Sequence, residues 1–277
     1  MTLPIAVNTI SDTWTVPMEE SLQRLAGHGY RHFDVMVSPA HLDTENLTPV
    51  DFRRLRKLLK DEGLQIISLT TQSLDHNFAS PRAEIRAMTT GFTKSMLNTA
   101  SELEVPGIVV VSGRYNPLNA PPRAQLEGWL RESLEAIVPF AEKVGVKLFL
   151  ENVPMGVLPT ADLLMQWVKE INSPALTICY DVSNGHFIKE DVAQAVRLVA
   201  PKLDLLHLSD TTQEAWRHDP IGTGTIDHAA VAKVLLEIGF DRFSVIEILA
   251  ANPIPVILSN HDILTGMGWE KRRGAAA

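Results

Sequence analysis

The chain has 277 residues, with 25 Lys plus Arg against 33 Asp plus Glu and a formal net charge of −8. Hydrophobic residues make up 45% and charged residues 21%, an ordinary globular composition long enough for one or two domains. The acidic balance argues against a general binder of nucleic-acid backbones. No window approaches about 18 apolar residues, so no membrane span is expected, and MTLPIAVNTISDTW lacks the basic start and apolar run of a signal peptide.

A short apolar run, a turn and a longer amphipathic segment recur along the chain. The runs predicted as strands cover 5–10, 32–37, 65–70, 107–111, 147–152, 176–181, 205–209 and 243–249. Between the second and third, Thr48, Pro49 and Asp51 give an N-cap, a proline in the first turn and an acid beside it. Phe52, Leu55, Leu58 and Leu59 follow at helical spacing, and Gly63 stops the run. Leu126, Leu130, Leu134, Ile137 and Val138 repeat the stripe further on, with Pro139 as a kink point. Thr160 caps a helix carrying Leu163, Leu164, Trp167, Val168 and Ile171. Asp227 opens another, with Val231, Val234, Leu235 and Ile238 inward and Gly239 as its stop.

Alternating strands and helices imply a parallel sheet, and eight units in this length predict a single (β/α)8 barrel over residues 1–270. The last residues, 271–277, read as a disordered tail. A doubly wound open sheet would usually carry a glycine-rich turn after its first strand, and Asn8 to Trp14 contains no glycine. Cys179 is the single cysteine, which suits a reducing, cytoplasmic setting.

Barrel chemistry gathers at the C-terminal ends of the strands. Four of those ends carry ionisable groups among apolar neighbours: Leu150-Glu151-Asn152, Cys179-Tyr180-Asp181, Leu206-His207-Leu208 and Ile246-Glu247-Ile248. Three carboxylates converging on one mouth would repel one another and resist ionisation unless a cation sat between them. Glu151, Asp181, His207 and Glu247 therefore form a candidate site for one divalent metal ion. Three oxygens and one imidazole suit Mn²⁺, Mg²⁺, Co²⁺ or Zn²⁺.

The LENVP, YDVSNGH, HLSDT and VIEIL segments, in this order, resemble the sugar phosphate isomerase/epimerase family of xylose isomerase-like barrels. That family is related to ketose 3-epimerases and to endonuclease IV, and the resemblance spans essentially the whole chain. It implies one divalent metal on Glu151, Asp181, His207 and Glu247, with Glu151 and Glu247 also the catalytic acid/base pair. The nuclease branch needs a larger metal cluster. Here Ser68 to Gln72 and Val111 to Gly113 hold no histidine, Asn184 stands three residues past Asp181, and Trp216 precedes the Arg217-His218 pair where a carboxylate is needed. No nucleic-acid partner is therefore expected.

The expected reaction is proton abstraction beside a polarised carbonyl of a small sugar, ketose or cyclitol, through an enediolate. The same enolate could expel a β-hydroxyl, as in a dehydroshikimate dehydratase-like lyase, and a noncatalytic carbohydrate-binding protein is a third reading. The substrate-binding candidates are Trp14, which could stack on a sugar face or simply pack, His186, which could reach substrate hydroxyls or cap the next helix, and Arg217 with His218. Asp210 and Asn184 are candidates for support behind the metal ligands, with Asp210 orienting His207 or Arg217. The Gly222-Thr223-Gly224 loop before Asp227 reads as a helix start rather than a phosphate site. Homo-oligomerisation is left open.

Overall fold

The computed structural model describes residues 2–71 and 76–271. Gln72 and the tail beyond 271, on which two of the sequence expectations fall, lie outside the described residues. Eight parallel strands close into a barrel in chain order: β1 (Ile5–Asn8), β2 (His32–Val37), β3 (Gln65–Thr71), β4 (Gly107–Val111), β5 (Lys147–Glu151), β6 (Leu176–Asp181), β7 (Leu203–Leu208) and β8 (Phe243–Ile246). The ring is sealed by β1 against β8, with Ala6 opposite Val245. This decides between the closed barrel and the open sheet.

The helices are α1 (Met18–Ala26), α2 (Pro49–Glu62), α3 (Ala83–Glu102), α4 (Arg123–Val144), α5 (Ala161–Ile171), α6 (Val182–Phe187), α7 (Val192–Val199), α8 (His228–Glu237) and α9 (Pro253–Thr265). The caps read from the sequence form. Thr48 Oγ1 accepts from the Asp51 amide while Asp51 accepts from the Thr48 amide, closing a reciprocal box at the start of α2. Gly63 ends that helix at φ 62°, a left-handed geometry that favours glycine. Thr160 and Asp227 cap α5 and α8. Pro139 lies inside α4, which runs on to Val144. Among the described residues no helix is long and apolar enough to cross a membrane.

The core has two parts. One fills the space between sheet and helices, and the other fills the barrel: Ala6, Ile67, Val109, Phe149, Cys179, Leu205 and Val245, one from each of seven strands. Side chains alternate along a strand, so the residue two further on faces the same interior. From Phe149, Cys179, Leu205 and Val245 that step leads to Glu151, Asp181, His207 and Glu247. The apolar layer thus fixes the register that sends these four polar side chains into the mouth.

Gly107 shows how tightly this layer is filled. A Cβ there would stand 2.2 Å from the Phe149 ring. Gly107→Ala is expected to lower stability by about 1–3 kcal/mol through overpacking, read by denaturant melts. An unchanged midpoint would show that the ring can move aside.

Candidate metal centre

The four sequence-selected residues meet at one point. One donor atom each from Glu151, Asp181, His207 and Glu247 lies within 4.8 Å of the others, and all four residues are buried. His207 Nδ1 stands 3.3 Å from Glu151 Oε1 and 3.0 Å from Glu247 Oε2. Donors bound to a common cation at about 2.0–2.3 Å can be at most about 4.6 Å apart, so modest convergence would bring this set into coordination. Asp181 Oδ2, His207 Nδ1 and Glu247 Oε2 are buried without a hydrogen-bond partner. Burying such atoms unpaired is costly, and a cation would satisfy all three at once.

The second oxygen of Asp181 is already used. Asp181 ends β6 and caps α6, and its Oδ1 accepts from the Ser183 amide at 2.7 Å and the Asn184 amide at 3.0 Å. That bond pair aims Oδ2 at the cluster. Asn152 ties the neighbouring strand end to the same residue: its Oδ1 accepts from the Asp181 amide at 2.7 Å and its Nδ2 donates to the Asp181 carbonyl at 3.0 Å. Glu247 lies just past β8, where its amide donates to the Leu208 carbonyl at 2.9 Å.

The electrostatics separate the two glutamates. Burial pushes the Glu151 carboxyl up to about 7, against the opposing pull of His207. Burial acts on Glu247 in the same sense, but His207 and His218 outweigh it and hold this carboxyl well below its usual range. Asp181 is raised, chiefly by burial. Burial would lower His218, yet Asp181 and Glu247 overcome it and lift the imidazole to about 9.

Residues 22–271 match the family model described as a xylose isomerase-like TIM barrel. The chain belongs to that family. A crystal structure of a D-tagatose 3-epimerase-like protein superposes with a TM-score of 0.83 at 25% identity, covering 96% of this chain and 97% of that one. An L-ribulose 3-epimerase from Mesorhizobium japonicum is 28% identical over 244 residues, 83% of this chain and 76% of its own length. A 3-oxo-isoapionate decarboxylase from Pectobacterium atrosepticum is 27% identical over 201 residues, 69% of this chain and 64% of its own. Proteins to which this chain is similar thus include sugar epimerases and a decarboxylase.

The remaining candidates fall at different places around the barrel mouth. His218 joins the cluster, with Nδ1 3.4 Å from Glu247 Oε2, 3.8 Å from Asp181 Oδ2 and 3.1 Å from Ser209 Oγ. Asn184 sits behind it: its backbone amide donates to Asp181 Oδ1 and its own Oδ1 accepts from Trp216 Nε1 at 2.6 Å. His186 lies within α6 and its Nε2 pairs with Thr225 Oγ1 at 2.8 Å; the cap of α7 is Asp191, so the helix-capping alternative for His186 does not hold. Arg217 is exposed, 3.6 Å from Asp219. Trp14 is 62% exposed and lines a groove of about 270 Å³ with Val37, Leu42, Met88 and Phe92.

Asp210 corrects an expectation. Among the described residues its carboxylate makes no hydrogen bond or ion pair with His207 or Arg217. Alternation from His207 turns Ser209 inward and Asp210 away, and the Asp210 carboxylate instead receives the Gly222 and Ile226 amides. It holds the loop that carries His218, and it occupies amides that an anion at the glycine loop would need.

The carboxylate beside His207 is Asp34 on β2. Its Oδ2 lies 3.2 Å from His207 Nε2 and accepts from Asn8 Nδ2 at 2.6 Å, while Oδ1 accepts from Thr70 Oγ1 at 2.7 Å. With proton density held on Nε2, the Nδ1 lone pair faces Glu151 and Glu247. Asp34→Asn is expected to weaken divalent-cation binding by about 10–100-fold, measured by calorimetric titration. Binding within about twofold of the parent would remove Asp34 from this role. Asp34 was visible in the sequence as a charge inside the apolar run His32 to Val37, but the sequence offered no partner for it.

Proposed function

We propose that this chain is a divalent-metal-dependent isomerase or epimerase of a small ketose, sugar or cyclitol. The observation that carries the reading is the convergence of four buried donors, three of them with unpartnered atoms, at the strand ends where barrel enzymes work. A divalent cation held by Glu151, Asp181, His207 and Glu247, drawn from Mn²⁺, Mg²⁺, Co²⁺ or Zn²⁺, supplies polarisation of a substrate carbonyl.

The proton chemistry belongs to the chain. Glu151 and Glu247 reach the mouth from β5 and just past β8, each beside His207 Nδ1, so two carboxylates are available as an acid/base pair. One carboxylate removes the proton on the carbon beside the carbonyl, leaving an enediolate of the sugar. Return of a proton to the opposite face of that carbon gives the epimer; delivery to the adjacent carbon gives the isomer. His218, with Nδ1 3.4 Å from Glu247 Oε2, stands where its ring can hydrogen-bond a substrate hydroxyl. Trp14, His186 and Arg217 are the proposed contacts further out on a sugar or polyol, in a cytoplasmic enzyme that acts on no nucleic acid.

The similarity to L-ribulose 3-epimerase and to the D-tagatose 3-epimerase-like structure supports a ketose substrate. The decarboxylase relative supports a second reading, in which the enediolate arises from or leads to loss of a group. Incubating the metal-loaded protein with a panel of ketoses and of 3-oxo sugar acids in deuterated water tests both. Deuterium on carbon without loss of water or carbon dioxide is the expected result. Release of either would establish a lyase, and no exchange with any ketose would overturn the epimerase reading.

A further inference from the structure

We propose that Cys179 gives this barrel a second cation position, one layer below the four-residue cluster, formed with Glu151 and His207 and suited to thiophilic divalent ions such as Zn²⁺ or Cd²⁺. The inference rests on reading the upper cluster as a cation site. Glu151, Cys179 and His207 each offer a donor atom within 4.8 Å of the other two, the same spacing as the upper set. Cys179 is fully buried and points into the barrel two residues before Asp181. Its companions in that layer, Ala6, Ile67, Val109, Phe149, Leu205 and Val245, are all hydrocarbon. Its sulfur is therefore the layer's one ligating side-chain atom among these residues.

A second observation points to a ligand there. Nδ1 of fully buried His207 lacks a hydrogen-bond partner, and with Nε2 held beside Asp34 it is the ring's one open lone pair, available to a cation in one position or the other. Ligand softness then separates the two positions. The upper set offers carboxylate oxygens and one imidazole, which suits Mn²⁺, Mg²⁺, Co²⁺ or Zn²⁺ but holds no soft donor. The lower set replaces two carboxylates by a sulfur, which suits Zn²⁺ or Cd²⁺. Binding there exchanges the thiol S–H bond for a sulfur–metal bond and releases the proton to solvent, with no change of oxidation state. Because Glu151 and His207 belong to both sets, the positions exclude one another. A thiophilic ion in the lower one would draw both residues away from the upper one and leave the proposed chemistry unsupported.

The test uses the full chain stripped of metal, alongside Cys179→Ser and Cys179→Ala, with folding checked by circular dichroism. Mn²⁺ and Cd²⁺ are titrated separately and in competition, while ultraviolet absorption reports thiolate–cadmium bonding. Cys179 is the chain's single cysteine, so any such band belongs to it. The expected result is a thiolate–cadmium band in the parent, displacement of Mn²⁺ by Cd²⁺, and loss of the band in both variants. Cd²⁺ affinity in the variants should fall at least about tenfold, with Mn²⁺ affinity within about threefold. Mn²⁺ binding with no thiolate band, or Cd²⁺ affinity unchanged in both variants, would overturn the Cys179 position alone. Failure of the parent to bind Mn²⁺ would instead overturn the reading of the upper cluster.

Discussion

Glu151→Gln and Glu247→Gln are each expected to lower turnover by about 10²–10⁴-fold, the range for loss of a positioned acid or base. Glutamine keeps the shape and an oxygen but can neither take up nor return the proton. Both carboxylates are also candidate metal donors, so each variant must be assayed at saturating cation with its bound metal measured. Full metal occupancy with turnover lost assigns the residue to proton transfer. Turnover recovered by raising the cation concentration assigns it to metal holding. Turnover unaffected in both variants would sink the mechanism. Deuterium exchange sharpens the comparison: a variant lacking only the returning acid still removes the substrate proton and can wash label in without net epimerisation.

Removing the cation should abolish turnover, and it should also change how stability depends on pH. Without metal, Glu151 binds its proton up to about 7 in the folded chain, against 4.5 as its ordinary value, and His218 holds its proton to about 9, against 6.5. In both cases the folded state binds more protons than the unfolded state across the interval. Their contributions to stability are thus fully present below the ordinary values and are lost as pH rises, from 4.5 to about 7 for Glu151 and from 6.5 to about 9 for His218. Raised Asp181 acts in the same sense, while depressed Glu247 acts oppositely and mostly below 4.5. The stripped protein should therefore lose stability between pH 5 and pH 9, and a saturating cation should flatten that slope by expelling the protons. Cation affinity should rise by about tenfold per pH unit for each proton expelled. Denaturant melts at several pH values, with and without Mn²⁺, check both. Parallel slopes would show that metal and protons do not compete for these groups.

The fold was legible because strand alternation and helix caps are local. Residues 32–37, 107–111 and 176–181 were bounded from apolar runs and turns alone, and these are the observed β2, β4 and β6. The four converging residues were legible for a related reason: a charge inside an apolar run is expensive anywhere except at a site. Asp34 carried the same signal. What the sequence lacked was its address, because β2 and β7 are separated by β1 and β8 around the ring, and only closure brings Asp34 to His207. Asp210 failed for the opposite reason. It is close to His207 along the chain, but nearness in sequence says nothing about which face of the strand a side chain takes. Cys179 was read only for its redox compartment, since a lone cysteine in an apolar strand gives no sign of the donors above it.

The contact between Asp34 and His207 joins the two halves of the chain. The four converging residues come from the second half, yet the carboxylate that sets the histidine tautomer comes from the first. Cation affinity is therefore a gauge of whether the ring is shut: a chain whose first strands have peeled away keeps the donors and loses the group that aims one of them. Linkage runs in reverse as well, so a cation at 100 times its dissociation constant adds about 2.7 kcal/mol to the closed form. In a cell, the supply of metal would then help decide how long the barrel survives, apart from any sugar it turns over.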